Sequence, residues 1–259
     1  MRNRLMIWGI FGFIAATAAL TGCGDAPSKN AAPTASALAS SMPASAGAVQ
    51  LSVVAASSKA SWVMDAPFEK IFGELPAALS GELFVDPSDV TQSTGLLEAD
   101  LTKLDLFQQR RKDENDEKSE FGERTRSDKQ NEHARGWLEL EKDKAFAKSQ
   151  FSIKKLETET ADVTKLSGPE RKITGTLTGE LLLHGRKAER KLKFEATFTF
   201  AGGKLTKLVV KTTEPLDVNL EQFDVRPHDV AGKTLLELAP KVARSAPVLL
   251  EFSAVPKKN

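Results

Sequence analysis

The sequence lacks several residues on which common protein chemistry depends. Cys23 is the only cysteine among 259 residues, so the chain cannot form an intrachain disulfide. Tyrosine is absent, so no phenol is available to hydrogen-bond a bound molecule. The formal net charge is only +1, which gives no general attraction to nucleic acid. We therefore predict no nucleic-acid partner.

Metal-binding and catalytic motifs are also missing from the sequence. The three histidines, His133, His184 and His228, do not lie at metal-ligand spacing. We interpret His184 and His228 as exposed residues of a turn and a loop. The acidic run at 113–117 lacks the glycine that an EF-hand loop requires. No nucleophile elbow, zinc-protease motif or phosphate-binding glycine loop occurs, so we predict neither a metal site nor an enzyme.

The first 22 residues predict a bacterial secretion signal. Arg2 and Arg4 precede residues 5–20, an uncharged stretch that is too short for a comfortable membrane span. The stretch ends in Leu20-Thr21-Gly22-Cys23, which is one apolar residue, two small residues and a cysteine. This order is typical of a lipobox, so we expect cleavage after residue 22 and lipidation of Cys23.

The segment after the signal predicts a membrane tether. Residues 23–50 are rich in Ala, Ser and Pro and lack apolar periodicity, which is typical of a flexible linker. The acyl chains on Cys23 are expected to hold the protein to a membrane. Gly24 rather than Asp follows the cysteine. By analogy with enterobacterial sorting, we expect delivery to the outer membrane, facing the periplasm.

The remaining residues, 51–259, have the size of one larger domain and alternate between apolar and polar residues. This alternation predicts antiparallel strands at 81–85, 97–101, 175–183, 192–200, 205–213 and 248–254. Turn residues separate neighbouring strands, at 86–89, 184–187 and Gly202-Gly203. Many strands with one apolar face must bury it, so we expect a mainly β sandwich or barrel.

Two stretches interrupt the strand pattern. Residues 108–135 are dominated by charged side chains, and we interpret them as an exposed insertion that is helical or partly disordered. Glu114 and Lys118 within it have the spacing of a favourable helical ion pair. A solvated charge run is a better interpretation of this insertion than a binding site. Residues 233–243 predict a short helix before the last strand.

The order of several motifs resembles the YceI-like, polyisoprenoid-binding family. Residues 175–185, followed by Leu192-Lys193-Phe194, are similar to the family's G-x-L-x-(apolar)-x-G turn and returning strand. Further segments are similar to family motifs in the same order: 68–73, 81–87, 97–104, 131–140, 151–153 and 220–225. The charged insertion is longer than is usual in the family, and Asp224 stands where the family often has glycine.

The resemblance implies an eight-stranded antiparallel, lipocalin-like barrel over 51–259, carrying the charged insertion 108–135. Such a barrel is wide enough to hold one elongated small ligand. In the family this ligand is an isoprenoid chain, as in quinones or polyprenyl lipids, or a similar amphiphile. We therefore expect no resident cofactor apart from a bound quinone or polyprenyl lipid.

Aromatic and leucine residues are the predicted walls of such a cavity, because a buried prenyl chain needs few polar groups. The residues that we predict to line it are Phe84, Trp137, Phe151, Leu181, Leu183, Phe194, Phe198 and Phe252. His133 and Arg135 are the predicted contacts of the ligand head group. Each aromatic residue has an alternative role in a filled core. Gly179 and Ala196 favour a hollow barrel, because small residues in phase with the wall leave room.

Three functional hypotheses follow from these patterns. The first is a membrane-anchored lipoprotein that binds an isoprenoid or similar amphiphilic lipid. The second is a structural lipoprotein of the cell envelope, with a packed barrel and a protein partner on the charged insertion. The third is an accessory of respiratory electron transfer, which would need a redox partner that the sequence does not show. A homodimer is compatible with each of them.

Overall fold

The computed structural model describes residues 37–39, 45–227 and 243–257. The chain divides into two compact units, Met1–Ala32 and Pro33–Asn259. The first unit lies outside the described residues. The predicted signal peptide and Cys23 lie outside the described residues. The same is true of residues 233–242, which are all but the last residue of the helix predicted at 233–243.

The described residues of the second unit form thirteen strands and one α-helix. The helix α1 spans Asp128–Trp137. The strands are β1 (Val49–Val53), β2 (Lys59–Asp65), β3 (Glu69–Pro76), β4 (Leu79–Val85), β5 (Thr94–Asp100), β6 (Asp105–Arg110), β7 (Thr125–Arg126), β8 (Lys148–Thr158), β9 (Glu170–Leu183), β10 (Arg186–Ala201), β11 (Lys204–Thr212), β12 (Leu216–Asn219) and β13 (Ser245–Pro256).

Several of these strands are halves of longer strands. β1 and β2 both pair with β13 and are separated by a short 3₁₀ turn at Ala55–Ser57. β3 and β4 are separated at residues 77–78, and β5 and β6 at the 3₁₀ turn Leu101–Lys103. β12 continues β11 along β13. Counted this way, the sheet consists of eight long strands.

The eight strands close into an antiparallel barrel in which neighbours in sequence are neighbours in the sheet. The path runs from β1–β2 through β3–β4, β5–β6, β8, β9, β10 and β11–β12 to β13. β13 pairs with β1 at Leu51↔Pro256 and with β2 at Leu249↔Ser61, which closes the ring. The eight-stranded barrel predicted from the sequence is confirmed.

The predicted inward faces are also confirmed. The alternation predicted over 192–200 places five apolar residues on one face of β10, and all five are buried in the core: Leu192, Phe194, Ala196, Phe198 and Phe200. Two hairpins on either side of β10 turn at His184-Gly185 and Gly202-Gly203, and all four residues have positive φ angles. Two-residue turns of this kind match the right-handed twist of antiparallel strands.

The charged insertion is helical, as predicted, only in its last part. Its first residues complete β6, residues 111–124 form a loop, and helix begins only at Asp128. Glu114 lies in the loop and pairs with Arg110 at 3.1 Å, so the predicted helical pair with Lys118 is wrong. Within the loop, the Lys112 ammonium lies 2.7 Å from the Glu120 carboxylate. The charges thus partly neutralise one another, as in a solvated loop.

Helix α1 packs against β6 and lines the barrel interior beside it. The buried Asn131 fixes it there, since its side-chain oxygen accepts from the Leu106 N–H at 3.0 Å and its amide donates to the Leu106 carbonyl at 3.1 Å. Ser127 caps the helix and accepts from the Gln130 N–H. None of the helical segments in the described ranges has the length and apolar character needed to cross a membrane.

Part of the predicted tether contacts the barrel. β1 begins at Val49, two residues before the predicted start of the domain. The backbone N–H of the buried Leu38 donates to the Gln150 side chain at 2.7 Å. At the barrel end opposite α1, the Ser45 hydroxyl donates to the Asp86 carboxylate at 2.6 Å. Asp86 therefore joins the segment before β1 to the turn between β4 and β5.

We predict that Asp86→Asn lowers stability in a pH-dependent way. The hydrogen bonds from Ser45 and Ser88 hold the pKa of Asp86 below its usual range. A lowered carboxyl pKa stabilises the fold above the unfolded pKa, and the stabilisation disappears as the pH falls through the folded pKa. We expect a loss of about 1 kcal/mol in the free energy of unfolding at neutral pH.

Chemical denaturation across a pH series measures this effect. The difference between wild type and Asp86→Asn should shrink as the pH falls below about 4. A difference that stays constant down to about pH 3 would contradict the assignment of the charge to Asp86. Glu117→Gln, at an exposed loop position, is the control and should change stability by less than about 0.5 kcal/mol.

Candidate ligand-binding cavity

The half of the barrel next to α1 contains an apolar cavity of about 220 Å³. Its walls come from α1 and from strands on all sides of the barrel, because the inward residues of each strand converge there. Five of the predicted site residues line this cavity: His133, Trp137, Phe151, Leu181 and Leu183. These residues lie on helix α1 and on the two neighbouring strands β8 and β9.

The cavity reaches solvent beside α1. His133 is exposed and also lines the cavity, so the wall is open at this point. The rings of His133 and Trp137 are parallel, with centroids 6.4 Å apart, as expected for residues one helical turn apart. Gln130 lies one turn before them on the same face. We call these three residues, with Ala134, the mouth.

Polar wall residues are few and mostly engaged with other protein groups. Glu98 accepts from the Gln150 amide at 2.7 Å and lies 3.5 Å from the Lys148 ammonium. The Ser149 hydroxyl donates to the Leu182 carbonyl at 3.0 Å. Apart from the mouth, the cavity therefore presents a hydrocarbon surface to any guest.

Two predicted site residues line neither this cavity nor the smaller space described below. The Arg135 side chain donates to the Thr102 carbonyl at 3.1 Å and does not line the cavity. Arg135 follows His133 by two residues, and this spacing places the two side chains on different faces of the helix. Phe84 alternates on β4 with Leu83 and Val85, which are 3% and 5% exposed and belong to the core. Phe84 is half-buried and outside that core.

The other half of the barrel contains only a small space of about 50 Å³. Phe194, Phe198 and Phe252, which were predicted as ligand contacts, line this space. All three are buried in the core. Their position fits the packing role that the sequence left open for the aromatic residues.

Gly179 does not leave room for a ligand as the sequence reasoning supposed. A methyl group at this position would overlap the ring of Phe151 and the carbonyl oxygen of Ser152. The ring of Trp62 lies over Gly73 in the same way, and Phe194 closely approaches Gly175. Glycine in a strand thus makes space for an aromatic ring from a neighbouring strand.

Trp62 is a cavity residue that the sequence reasoning missed. Ala60, Trp62 and Met64 alternate on β2 and all line the cavity. The same period-two pattern that identified the other strands was present here and would have found them. Met64 and Trp62 are partly buried and pack against the core, which extends the apolar wall toward the mouth.

The interpretation of His184 as an exposed turn residue is wrong. Its side chain is 1% exposed, and its Nδ1 lies 3.0 Å from the Phe223 carbonyl oxygen. Its Nε2 lies 3.3 Å from the carboxylate of Glu139, just after α1, and its ring packs on Phe146. The β9–β10 turn is thus tied to the segment that follows α1.

A second polar group adjoins this contact. His184, Glu139 and Asp224 all have positive φ, which is rare outside glycine. Burial alone would raise the pKa of Asp224, but hydrogen bonds from Arg226 at 2.7 Å and Arg186 at 3.1 Å give a net lowering. Asp224 is therefore a carboxylate bound between two guanidinium groups, where the family often has glycine.

We predict that His184→Ala destabilises the fold by about 2–4 kcal/mol, because it removes a buried hydrogen bond and the ring packed on Phe146. Thermal or chemical unfolding measures the change. Lys187→Ala, at an exposed position in the same hairpin, is the matched control and should cost less than about 0.5 kcal/mol. Equal effects of the two substitutions would contradict the anchoring role of His184.

Within the described ranges, no group of three or more His, Cys, Asp or Glu side chains is arranged to hold a metal ion.

Comparison with known proteins gives the family of the chain. The search of curated proteins found no match. Among solved structures, a polyisoprenoid binding domain from Saccharophagus degradans implicated in plant cell wall breakdown is 15% identical. The alignment covers 81% of this chain and 99% of that chain, with a TM-score of 0.49. The YceI-like domain matches residues 51–254, which is most of the chain, and the protein therefore belongs to the YceI-like family.

Proposed function

We propose that this protein binds an amphiphilic lipid, of isoprenoid or similar type, in the cavity beneath α1. The observation that carries the proposal is an apolar cavity that is lined on one side by exposed and partly exposed residues of α1. A filled barrel would have no such space, because protein cores are packed to the density of organic crystals. Membership of the YceI-like family supports the same function.

The cavity suits one narrow chain. Its volume of about 220 Å³ lies below the roughly 300–1,000 Å³ typical of pockets for drug-sized ligands. Each methylene group that leaves water for such a wall contributes about 0.8 kcal/mol to binding. The binding energy comes from the chain, and the head group remains at the mouth.

The mouth offers hydrogen-bonding groups to the head group. The His133 imidazole and the Gln130 amide lie on one face of α1 and line the cavity where it opens. Both donate and accept hydrogen bonds, so they suit a carbonyl, hydroxyl or phosphate oxygen. Arg135 is engaged with Thr102, so His133 and Gln130 replace the pair predicted from the sequence.

Binding rather than catalysis is the function that we propose for this site. The Ser149 hydroxyl donates to a backbone carbonyl, and Glu98 is engaged with Gln150 and Lys148. Neither group has the arrangement of an activated nucleophile beside its base. The walls supply burial and shape, which is what a lipid carrier requires.

The anchor is the second part of the proposal. The lipobox sequence ending at Cys23 supports a lipoprotein that is held to the outer membrane and faces the periplasm. A lipid-binding barrel on such a tether would take up and release its ligand close to the membrane that supplies it. Tethering raises the effective concentration of the barrel at the membrane that contains its lipid ligand.

The ligand hypothesis predicts a co-purifying lipid. The full chain carrying Cys23→Ser, which removes the protein's own acyl chains, is produced in a bacterial host and analysed by native mass spectrometry. We expect a discrete added mass that an organic solvent extracts as a prenyl lipid or similar amphiphile. Ala134→Trp places a ring in the mouth and should weaken binding of added geranylgeraniol about tenfold or more.

Lys129→Trp is the matched control for this experiment, because it adds the same ring to an exposed position of the same helix. It should leave binding unchanged. A bare polypeptide mass that does not shift with geranylgeraniol or a short-chain ubiquinone would contradict the proposal. That result would favour the alternative of a packed barrel with a protein partner on the charged insertion.

The anchor predicts a specific modification and location. The mature protein should begin at Cys23, carry a diacylglyceryl group and sediment with membranes, whereas Cys23→Ser should lose the lipid and keep its signal uncleaved. Mass spectrometry of the N-terminal peptide and membrane fractionation measure them. In an enterobacterial host, Gly24→Asp should keep the lipid but move the protein from the outer to the inner membrane. A mature protein whose N-terminal residue lacks the diacylglyceryl group would contradict the anchor.

A further inference from the structure

The barrel interior is divided into two spaces that nearly touch. The larger cavity lies beneath α1, and the smaller space lies toward the opposite end. Leu97 on β5 lines both spaces, so its side chain lies between them on that side of the barrel.

Phe151 forms the neighbouring part of this division. Phe151 on β8 pairs with Leu181, whereas the next inward residue, Ile153, pairs with Gly179. The Phe151 ring nevertheless lies over Gly179, so it leans along the barrel away from the mouth. Phe151 and Leu181 line the larger cavity, and Ile153 lines the smaller space. The ring thus spans the level at which one space ends and the other begins.

We propose that Phe151 and Leu97 form a floor that limits the length of the bound chain. This inference rests on the proposed function and specifies it further. The ligand is a single-chain amphiphile whose tail fills only the half of the barrel next to α1. A longer tail must leave its end in water or displace the floor. Phe151 is thereby the residue that determines chain-length specificity.

Gly179 explains why the floor lies where it does. Because Gly179 has no side chain, the Phe151 ring can lie against β9. Any side chain on Gly179 would push the ring back toward the mouth and shorten the cavity. The Gly179 and Phe151 pair therefore fixes both the depth of the cavity and the position of its end.

A series of primary fatty alcohols, from octanol to octadecanol in steps of two methylenes, tests the floor. The full chain carrying Cys23→Ser is freed of bound lipid and titrated with each alcohol by native mass spectrometry. While the tail still enters, each step should raise the affinity about fifteenfold. At the length that fills the cavity the affinity should level off. In Phe151→Ala the rise should continue to longer alcohols.

Two further variants separate the floor from general core damage. Phe198→Ala truncates another buried phenylalanine, which lines the smaller space, and should leave the limiting length unchanged. Phe151→Leu keeps most of the apolar volume and should shift the limit in the same direction as Phe151→Ala if the alanine variant does not fold. If the alcohol length at which affinity levels off is the same in wild type and both Phe151 variants, the proposal of a floor is overturned.

The remaining outcomes distinguish the floor from the proposed function. Wild-type affinity that rises through the whole series overturns the floor but supports lipid binding, because the chain then passes Phe151. Failure of every alcohol to bind, to wild type and variants alike, overturns both proposals. A limiting alcohol length that shifts in the Phe151 variants and not in Phe198→Ala supports both the floor and lipid binding.

Discussion

Closure of the barrel by β13 is the constraint on which the rest of the structure depends. This strand pairs with β11 and β12 on one side and with β1 and β2 on the other. Without it, two strand edges and the inner faces of both neighbours would be exposed to water. The ring of backbone hydrogen bonds fixes the diameter of the barrel, and the diameter fixes how much space the inward side chains must fill.

The two halves of the barrel use this space differently. Opposite α1, phenylalanine side chains on β10 and β13 fill the interior almost completely. Next to α1, β6 leaves the neighbourhood of β8, and a helix rather than a strand completes the wall. A helix cannot continue the hydrogen-bonded ladder, so Asn131 and the His184–Glu139 contact hold it instead. The cavity exists where the wall changes from sheet to helix.

Local patterns in the sequence predicted most of the fold. Alternation on β9, β10 and β13 identified their inward residues, because a strand with one buried face obeys a period of two. Similarity to a family supplied the number of strands, which alternation alone could not give. The sequence interpretation failed where a residue depends on distant partners. His184 has the local context of an exposed turn, and only Glu139, Phe146 and Phe223, all far away in the chain, bury it.

In the candidate site, too, local sequence did not predict features that depend on distant partners. Phe151, Leu181 and Leu183 were predictable as wall residues, because phase along a strand determines which side chains point inward. The depth of the cavity was not predictable, since it depends on the direction in which the Phe151 ring leans. Gly179 was interpreted as empty space, although the Phe151 ring from the neighbouring strand β8 fills it. Phe84 and Arg135 show that an aromatic or charged residue near a site is not yet part of it.

The order of the strands also determines how the domain can be made. β1 emerges early in synthesis, but its partner β13 comes last of the described strands. Until β13 pairs, the other strands can form at most an open sheet with an uncovered apolar face and two unpaired edges. Pairings this distant in sequence form slowly, and uncovered edges associate with other chains. The vulnerable period of this protein therefore lasts until β13 has paired, and any factor that shields the open sheet until then should raise its yield more than its final stability.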